Sequence, residues 1–349
     1  MGDITVLVAL AYKPSSTPVK VNIALVSLLR QYLGTSSSGV AVRRDGPNGP
    51  RTLRSGVGDR VPNLCGPTAR PGVGLPEGWT EGDIETNGAR LHYYRSGGDG
   101  RPLVVAHGIT SNGRSRIPLV EALADGYDVV TYDARGHGRS PAPESGWDYD
   151  GLATDLVGLV EALGLAEPVL YGHSMGGTTV ATAAATHPEL PHAVVLEDPG
   201  LMLRLGDEDE DEAADDPGWE MMLERIHGTP ADSPEALLER DPELVELVEA
   251  GREHIAMLLA DAYLNVDPKV GRVLESEGPA PADLFPDIAA PTLVLRADVD
   301  ADARELDREA VSLLPDGRLV HVAGAGHCVL RDEHERAFGE LRRFLEEHP

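Results

Sequence analysis

From about residue 75 onward, short unbroken apolar runs alternate with amphipathic stretches, and that alternation predicts a parallel sheet with crossover helices on its faces. Parallel strands are covered on both sides, so they read as continuous apolar segments rather than as alternating ones. Arg90–Arg95 reads as an early edge strand. Pro102–His107, Tyr127–Tyr132, the run that starts at Pro168, Ala193–Leu196, Pro291–Ala297 and Arg318–Val322 read as the strands that follow it. Helices are expected over about Arg116–Leu123, Tyr149–Leu163, Ala303–Leu314 and Leu330–Glu347. In the second of these, Leu152, Leu156, Leu159, Val160 and Leu163 fall on one face at helical spacing.

Two regions depart from this rhythm. Residues 199–290 read as a helical insertion, a cap over the sheet. It holds an acidic run, Asp207–Glu212, that reads as a solvated loop, a helix over about Trp219–His227, and two helices begun by Ser233-Pro234 and Asp241-Pro242. In the last two a capping residue precedes proline at the first helical position. Met221, Met222, Leu223, Ile226, Met257, Leu258 and Leu259 would pack these helices or line an apolar pocket beneath them. Residues 1–75 have no sustained period and are rich in Gly, Pro and Ser after Thr35, which reads as a disordered extension or a start codon assigned too early; the patterned domain is 76–349.

Charge changes the picture next. The 349 residues carry 58 acidic and 30 basic side chains, a net charge of −28, with lysine only at Lys13, Lys20 and Lys269. Residues 1–75 hold nine basic and three acidic residues, so the remainder carries −34. A self-repelling negative surface disfavours nucleic acid and anionic membranes as partners and leaves a small molecule as the expected one. The surplus is best tolerated where salt screens it, and with so little lysine it resembles the proteome of a halophilic archaeon or bacterium. No run of 18 apolar residues suggests a membrane span. Cys65 and Cys328 lie far apart, without disulfide-framework or zinc spacing, which fits a reducing cytoplasm.

The chemistry centres on Gly172-His173-Ser174-Met175-Gly176, a G-x-S-x-G between an apolar run and the small-residue stretch Thr178–Ala185. A sharp strand-to-helix turn would leave Ser174 proud of the sheet at a helix N-terminus, where developing negative charge is favoured. A serine hydroxyl needs a base within hydrogen-bond reach, and the base needs an orienting acid. Asp298-Val299-Asp300 and Gly324-Ala325-Gly326-His327 follow predicted strands, at the edge where a parallel sheet gathers its ligand-facing loops. The order is then Ser, Asp, His.

Residues 86–348 resemble the α/β-hydrolase superfamily through His107-Gly108, Asp133-Ala134-Arg135-Gly136-His137-Gly138-Arg139-Ser140, the elbow and Gly326-His327. The resemblance implies a mostly parallel doubly wound sheet, a helical cap inserted after the sixth strand, and a serine hydrolase acting on a small or medium carboxylic ester without metal or organic cofactor. It implies Ser174 as nucleophile, His327 as base then acid, Asp300 as orienting acid, and the backbone amides of Met175 and Ile109 as oxyanion hole. Ala297 stands where the family has glycine, so the register between Asp298 and Asp300 is open. Members with the acid after the sixth strand would use Asp198. His107 reads as shaping the oxyanion loop and His137 and Arg135 as stabilising their turn; by the geometry of the elbow His173 points away from the serine, and Cys328, with no elbow around it, reads as packing. A carbon–carbon bond hydrolase, a cofactor-free perhydrolase and a non-catalytic binding protein are the alternatives.

Overall fold

Along the central strands successive side chains enter two different apolar layers, and both layers are dry. Val104 and Ala106 pack on one face with Leu152, Leu156, Leu159 and Val180. Leu103 and Val105 pack on the other with Leu119, Leu341 and Phe344. This is the two-sided burial that makes parallel strands unbroken apolar runs. The computed structural model describes residues 74–203, 233–276 and 278–349. The expected extension before residue 74, the acidic run, the Trp219–His227 helix and the pocket candidates Met221, Met222, Leu223 and Ile226 lie outside the described residues.

In chain order the elements are β1 Thr80–Thr86, β2 Ala89–Arg95, β3 Arg101–Ala106, α1 Gly113–Val120, β4 Tyr127–Asp133, α2 Tyr149–Ala162, β5 Val169–His173, α3 Met175–Thr186 and β6 Ala193–Glu197. Then come α4 Pro234–Leu238, α5 Pro242–Glu249, α6 Glu253–Leu264, α7 Gly271–Glu275, α8 Pro281–Leu284, β7 Thr292–Arg296, α9 Ala301–Val311, β8 Gly317–His321, α10 Val329–Asp332 and α11 His334–Glu347. The eight strands form one sheet in the order β1-β2-β4-β3-β5-β6-β7-β8. The β1/β2 and β2/β4 pairs are antiparallel and the others parallel.

Three details differ from the sequence expectation. The edge strand is β1, which covers Ala89–Arg95 on its outer side. Its sequence offers a single aliphatic residue, Ile84, and no buried position, so no pattern marks it. Helix α1 begins three residues early because Asn112 caps it, accepting from the Ser115 amide at 2.8 Å. The expected last helix is two, divided at Glu333, whose φ of −124° is not helical. Between β6 and β7, Ser233 and Asp241 do cap α4 and α5 with proline in the first turn. These helices pack with α6 through Leu237, Leu244, Ala256 and Ala260, in the same apolar layer as Leu103 and Val105.

Candidate active site

β3, β5, β6, β7 and β8 all point their C-terminal ends the same way, so the loops after them meet at one edge, where a doubly wound sheet binds its ligands. The turn after β5 is the tightest of them. Ser174 has φ 53° and ψ −117°, a conformation that L side chains rarely adopt. It is held by three backbone bonds: its amide donates to Glu197 O, and its carbonyl accepts from Thr178 N and Gly200 N. A Cβ at Gly172 would stand 2.2 Å from Gly176 O, and one at Gly176 would stand 2.4 Å from Ala106 O. Only glycine lets the three backbones approach so closely.

Ser174 Oγ lies 2.9 Å from His327 Nε2, and His327 Nδ1 lies 2.6 Å from a carboxylate oxygen. That carboxylate belongs to Asp198, not to Asp300. Asp300 is the N-cap of α9, its Oδ1 accepting from the amides of Asp302 and Ala303. Asp298 pairs with Arg304 at 2.5 Å and accepts from Gly324 N at 3.0 Å, which anchors the start of the histidine loop without reaching the ring. The reason is geometric: the chain turns into α9 directly after β7 and uses Asp300 to start it. Asp198, one residue past β6 at φ 40°, is turned toward His327 instead.

Asp198 is buried, with Oδ1 accepting from Arg296 Nη1 at 2.5 Å and from Ala297 N at 3.2 Å. Burial alone would raise its pKa, but the Arg296 cation and then the His327 hydrogen bond outweigh it and hold the carboxyl down at about 2. The group is ionised at neutral pH. The preceding residue, Glu197, has no exposed surface. It accepts from Arg116 Nη2 at 2.5 Å, from the Tyr171 hydroxyl and, through Oε1, from Leu330 N at 2.6 Å. Burial opposes its ionisation, but Arg116 and then His173 and Tyr171 bring it to about 2. Glu197 thereby ties the end of β6 to the first turn of α10, two residues past the base.

His173 does not point away. Its ring lies 4.9 Å from that of His327, and Nε2 donates to the His327 carbonyl at 3.1 Å. Burial lowers its pKa to about 3, so it stays neutral and steadies the base rather than exchanging protons. His107 Nδ1 donates to Gly108 O at 2.8 Å while Nε2 accepts from Ala134 N, which shapes the loop after β3. His137 bridges the carbonyls of Arg135 and Ile109, and Arg135 pairs with Asp155 at 2.6 Å inside the turn. Burial pushes the Cys328 thiol up, away from thiolate. The amides of Met175, the first residue of α3, and of Ile109 donate to no protein acceptor among the described residues.

A cavity of about 40 Å³ opens on Ser174 and His327, walled by Gly108, Ile109, Leu119, Ile255, Leu259 and Tyr263. Of the expected pocket candidates that are described, Leu259 lines it, Leu258 is buried in the cap, and Met257 is half-buried outside the lining. Sequence reading missed Arg116, Glu197 and Arg296, three charges inside apolar surroundings. A charged residue closing an aliphatic strand is the signal that could have found the last two, since a buried ion needs a counter-ion. Among the described residues no group of three or more His, Cys, Asp or Glu could hold a metal ion, and no helix is long and apolar enough to cross a membrane.

Residues 101–232 match the sequence model of a family described as alpha/beta hydrolase fold. The chain is 39% identical over 104 residues to the 2-(acetamidomethylene)succinate hydrolase of Mesorhizobium japonicum, covering 30% of this chain and 37% of that one. It is 40% identical over 96 residues to a non-heme haloperoxidase of Rhodococcus erythropolis, covering 27% and 35%. These alignments span little more than a third of the relatives' own lengths. A thermophilic esterase from Thermogutta terrifontis superposes with a TM-score of 0.60 at 25% identity, over 77% of this chain and all of that one. Strand order, family match and structural likeness agree on one architecture, and the chain has the α/β-hydrolase fold.

Proposed function

We propose that this protein is a serine hydrolase that cleaves a small or medium carboxylic ester through an acyl-enzyme on Ser174. The observation that carries the reading is the unbroken chain of hydrogen bonds from Ser174 Oγ through His327 to the ionised Asp198. Ser174 Oγ attacks the carbonyl carbon while His327 Nε2 takes its proton. Asp198 keeps Nδ1 protonated and stabilises the imidazolium that forms. The amides of Met175 and Ile109 hold the oxyanion, where the loss of one donor typically costs about 3 kcal/mol of transition-state stabilisation. His327 returns the proton to the leaving alcohol, and water then releases the acyl group by the same steps in reverse. The complete triad also speaks against a non-catalytic binding protein, which has no use for it.

A cofactor-free perhydrolase is the second reading, favoured by the likeness to the haloperoxidase. Hydrogen peroxide would then replace water at the acyl-enzyme. The deciding experiment is labelling of the full chain in molar KCl with a fluorophosphonate probe, beside the Ser174→Ala variant, with mapping of the modified peptide and turnover of p-nitrophenyl esters with and without peroxide. Labelling confined to Ser174, and a loss in the variant of roughly 10⁴-fold or more in ester turnover, is expected. Turnover that survives in folded Ser174→Ala would refute the nucleophile.

A further inference from the structure

β7 is aliphatic until its last residue. Leu293, Val294 and Leu295 have no exposed surface, and Arg296, which closes the strand, is only 4% exposed. A buried guanidinium is costly unless both its charge and its donors are met. Here two carboxylates meet them from opposite sides. Nη1 donates to Asp198 Oδ1 at 2.5 Å and Nε to Asp307 Oδ1 at 3.0 Å. Each carboxylate gives its second oxygen to a histidine, Asp198 to His327 Nδ1 at 2.6 Å and Asp307 to His321 Nε2 at 2.8 Å. Five side chains from the turn after β6, β7, α9, β8 and the loop before α10 thus form one line, with the cation at its centre and His327 at one end.

We propose that Arg296 is a positioning residue of the triad: it clamps Asp198 in the orientation that serves His327, and Asp307 sets how strongly the Arg296 charge is felt at the base. The proposal rests on the serine-hydrolase reading above. Asp198 sits at φ 40°, a conformation that its own backbone does not favour. Without Arg296 its Oδ1 keeps only the long bond from Ala297 N. The carboxylate is then free to turn away from the imidazole, and a displacement of that kind is enough to slow an aligned reaction about a hundredfold.

The electrostatics give the clamp a sign. Facing His327 are Asp198 from the turn after β6 and neutral His173 from β5, with the Arg116–Glu197 pair behind His173 and the Arg331–Glu243 pair, from α10 and α5, lining the same cavity. Facing Arg296 are Asp198 and, from α9, Asp307, which is backed by His321 from β8. Removing the Arg296 cation favours the imidazolium. Removing the Asp307 charge leaves Arg296 uncompensated and disfavours it. The two substitutions therefore push the base in opposite directions, which a mere packing defect does not do.

The test is the rate of fluorophosphonate acylation of Ser174 against pH, in molar KCl, for the full chain and its Arg296→Met, Arg296→Lys and Asp307→Asn variants. Arg296→Met is expected to slow acylation about a hundredfold and to move the acidic limb of the profile up by about one pH unit. Arg296→Lys should keep the limb in place while losing part of the rate, and Asp307→Asn should move the limb down. Folded variants whose limbs coincide with that of the unsubstituted chain would overturn the clamp and leave the nucleophile assignment standing. If the unsubstituted chain itself takes no label, both readings fall. Should Arg296→Met not fold, Asp307→Asn carries the sign test by itself.

Discussion

Asp198 and Asp300 differ in what they have left to give. Asp300 has its Oδ1 engaged by two helix amides, whereas Asp198 has one oxygen on a cation and the other on the base. Asp198→Asn should therefore lower ester turnover by roughly 10⁴-fold, since the amide both weakens the charge and permits the wrong imidazole tautomer. Asp300→Asn should leave turnover near that of the unsubstituted chain and cost well under 1 kcal/mol of stability, because asparagine caps nearly as well. Paired kinetics and melting curves check this; equal losses in the two variants would sink the assignment. The serine and the histidine were legible in the sequence because local backbone geometry writes them there, in glycines packed at contact distance. The acid was not. Its choice depends on which strand ends meet across the sheet, and no local pattern encodes that.

Among the elements, those buried on both faces were readable and those at the margins were not. β3, β5, β6 and β7 announce themselves as unbroken apolar runs, whereas β1 exposes most of its length and packs a single aliphatic side chain, Ile84, against the core. Of the helices between β6 and β7, α4 and α5 were legible through their caps, Ser233-Pro234 and Asp241-Pro242, whereas α6, which lacks a side-chain cap, was not. Their contribution to the site was not, because helical spacing does not say which apolar residue faces the serine. The structure gives that wall to Ile255, Leu259 and Tyr263 on successive turns of α6. The cavity that they bound is small, about 40 Å³. Leu259→Ala should widen it, moving the preferred p-nitrophenyl ester toward longer acyl chains at a cost in stability of about 2 kcal/mol or more. An unchanged chain-length profile in a folded variant would show that α6 does not limit the acyl group.

For the whole molecule the governing quantity is the charge of −28. Many cations on the folded domain are already engaged: Arg116, Arg135 and Arg296 are buried in ion pairs, and Arg318 and Arg343 share Glu340 at the surface. The excess carboxylates repel one another at low ionic strength, and this repulsion is screened within about 3 Å at 1 M salt. The melting temperature should accordingly rise by several degrees between low and molar KCl; a flat response would count against salt adaptation.

The middle member of the triad is also separated in time from the other two. Ser174 and Asp198 are made early, and His327 follows 153 residues after the serine. During synthesis the growing chain carries an elbow with no base beside it. Its serine is an ordinary alcohol, inert toward the acyl compounds around the ribosome, until the last strand has docked. On the proposed mechanism, a chain that stops short of His327 has no base for its serine and should take no fluorophosphonate label.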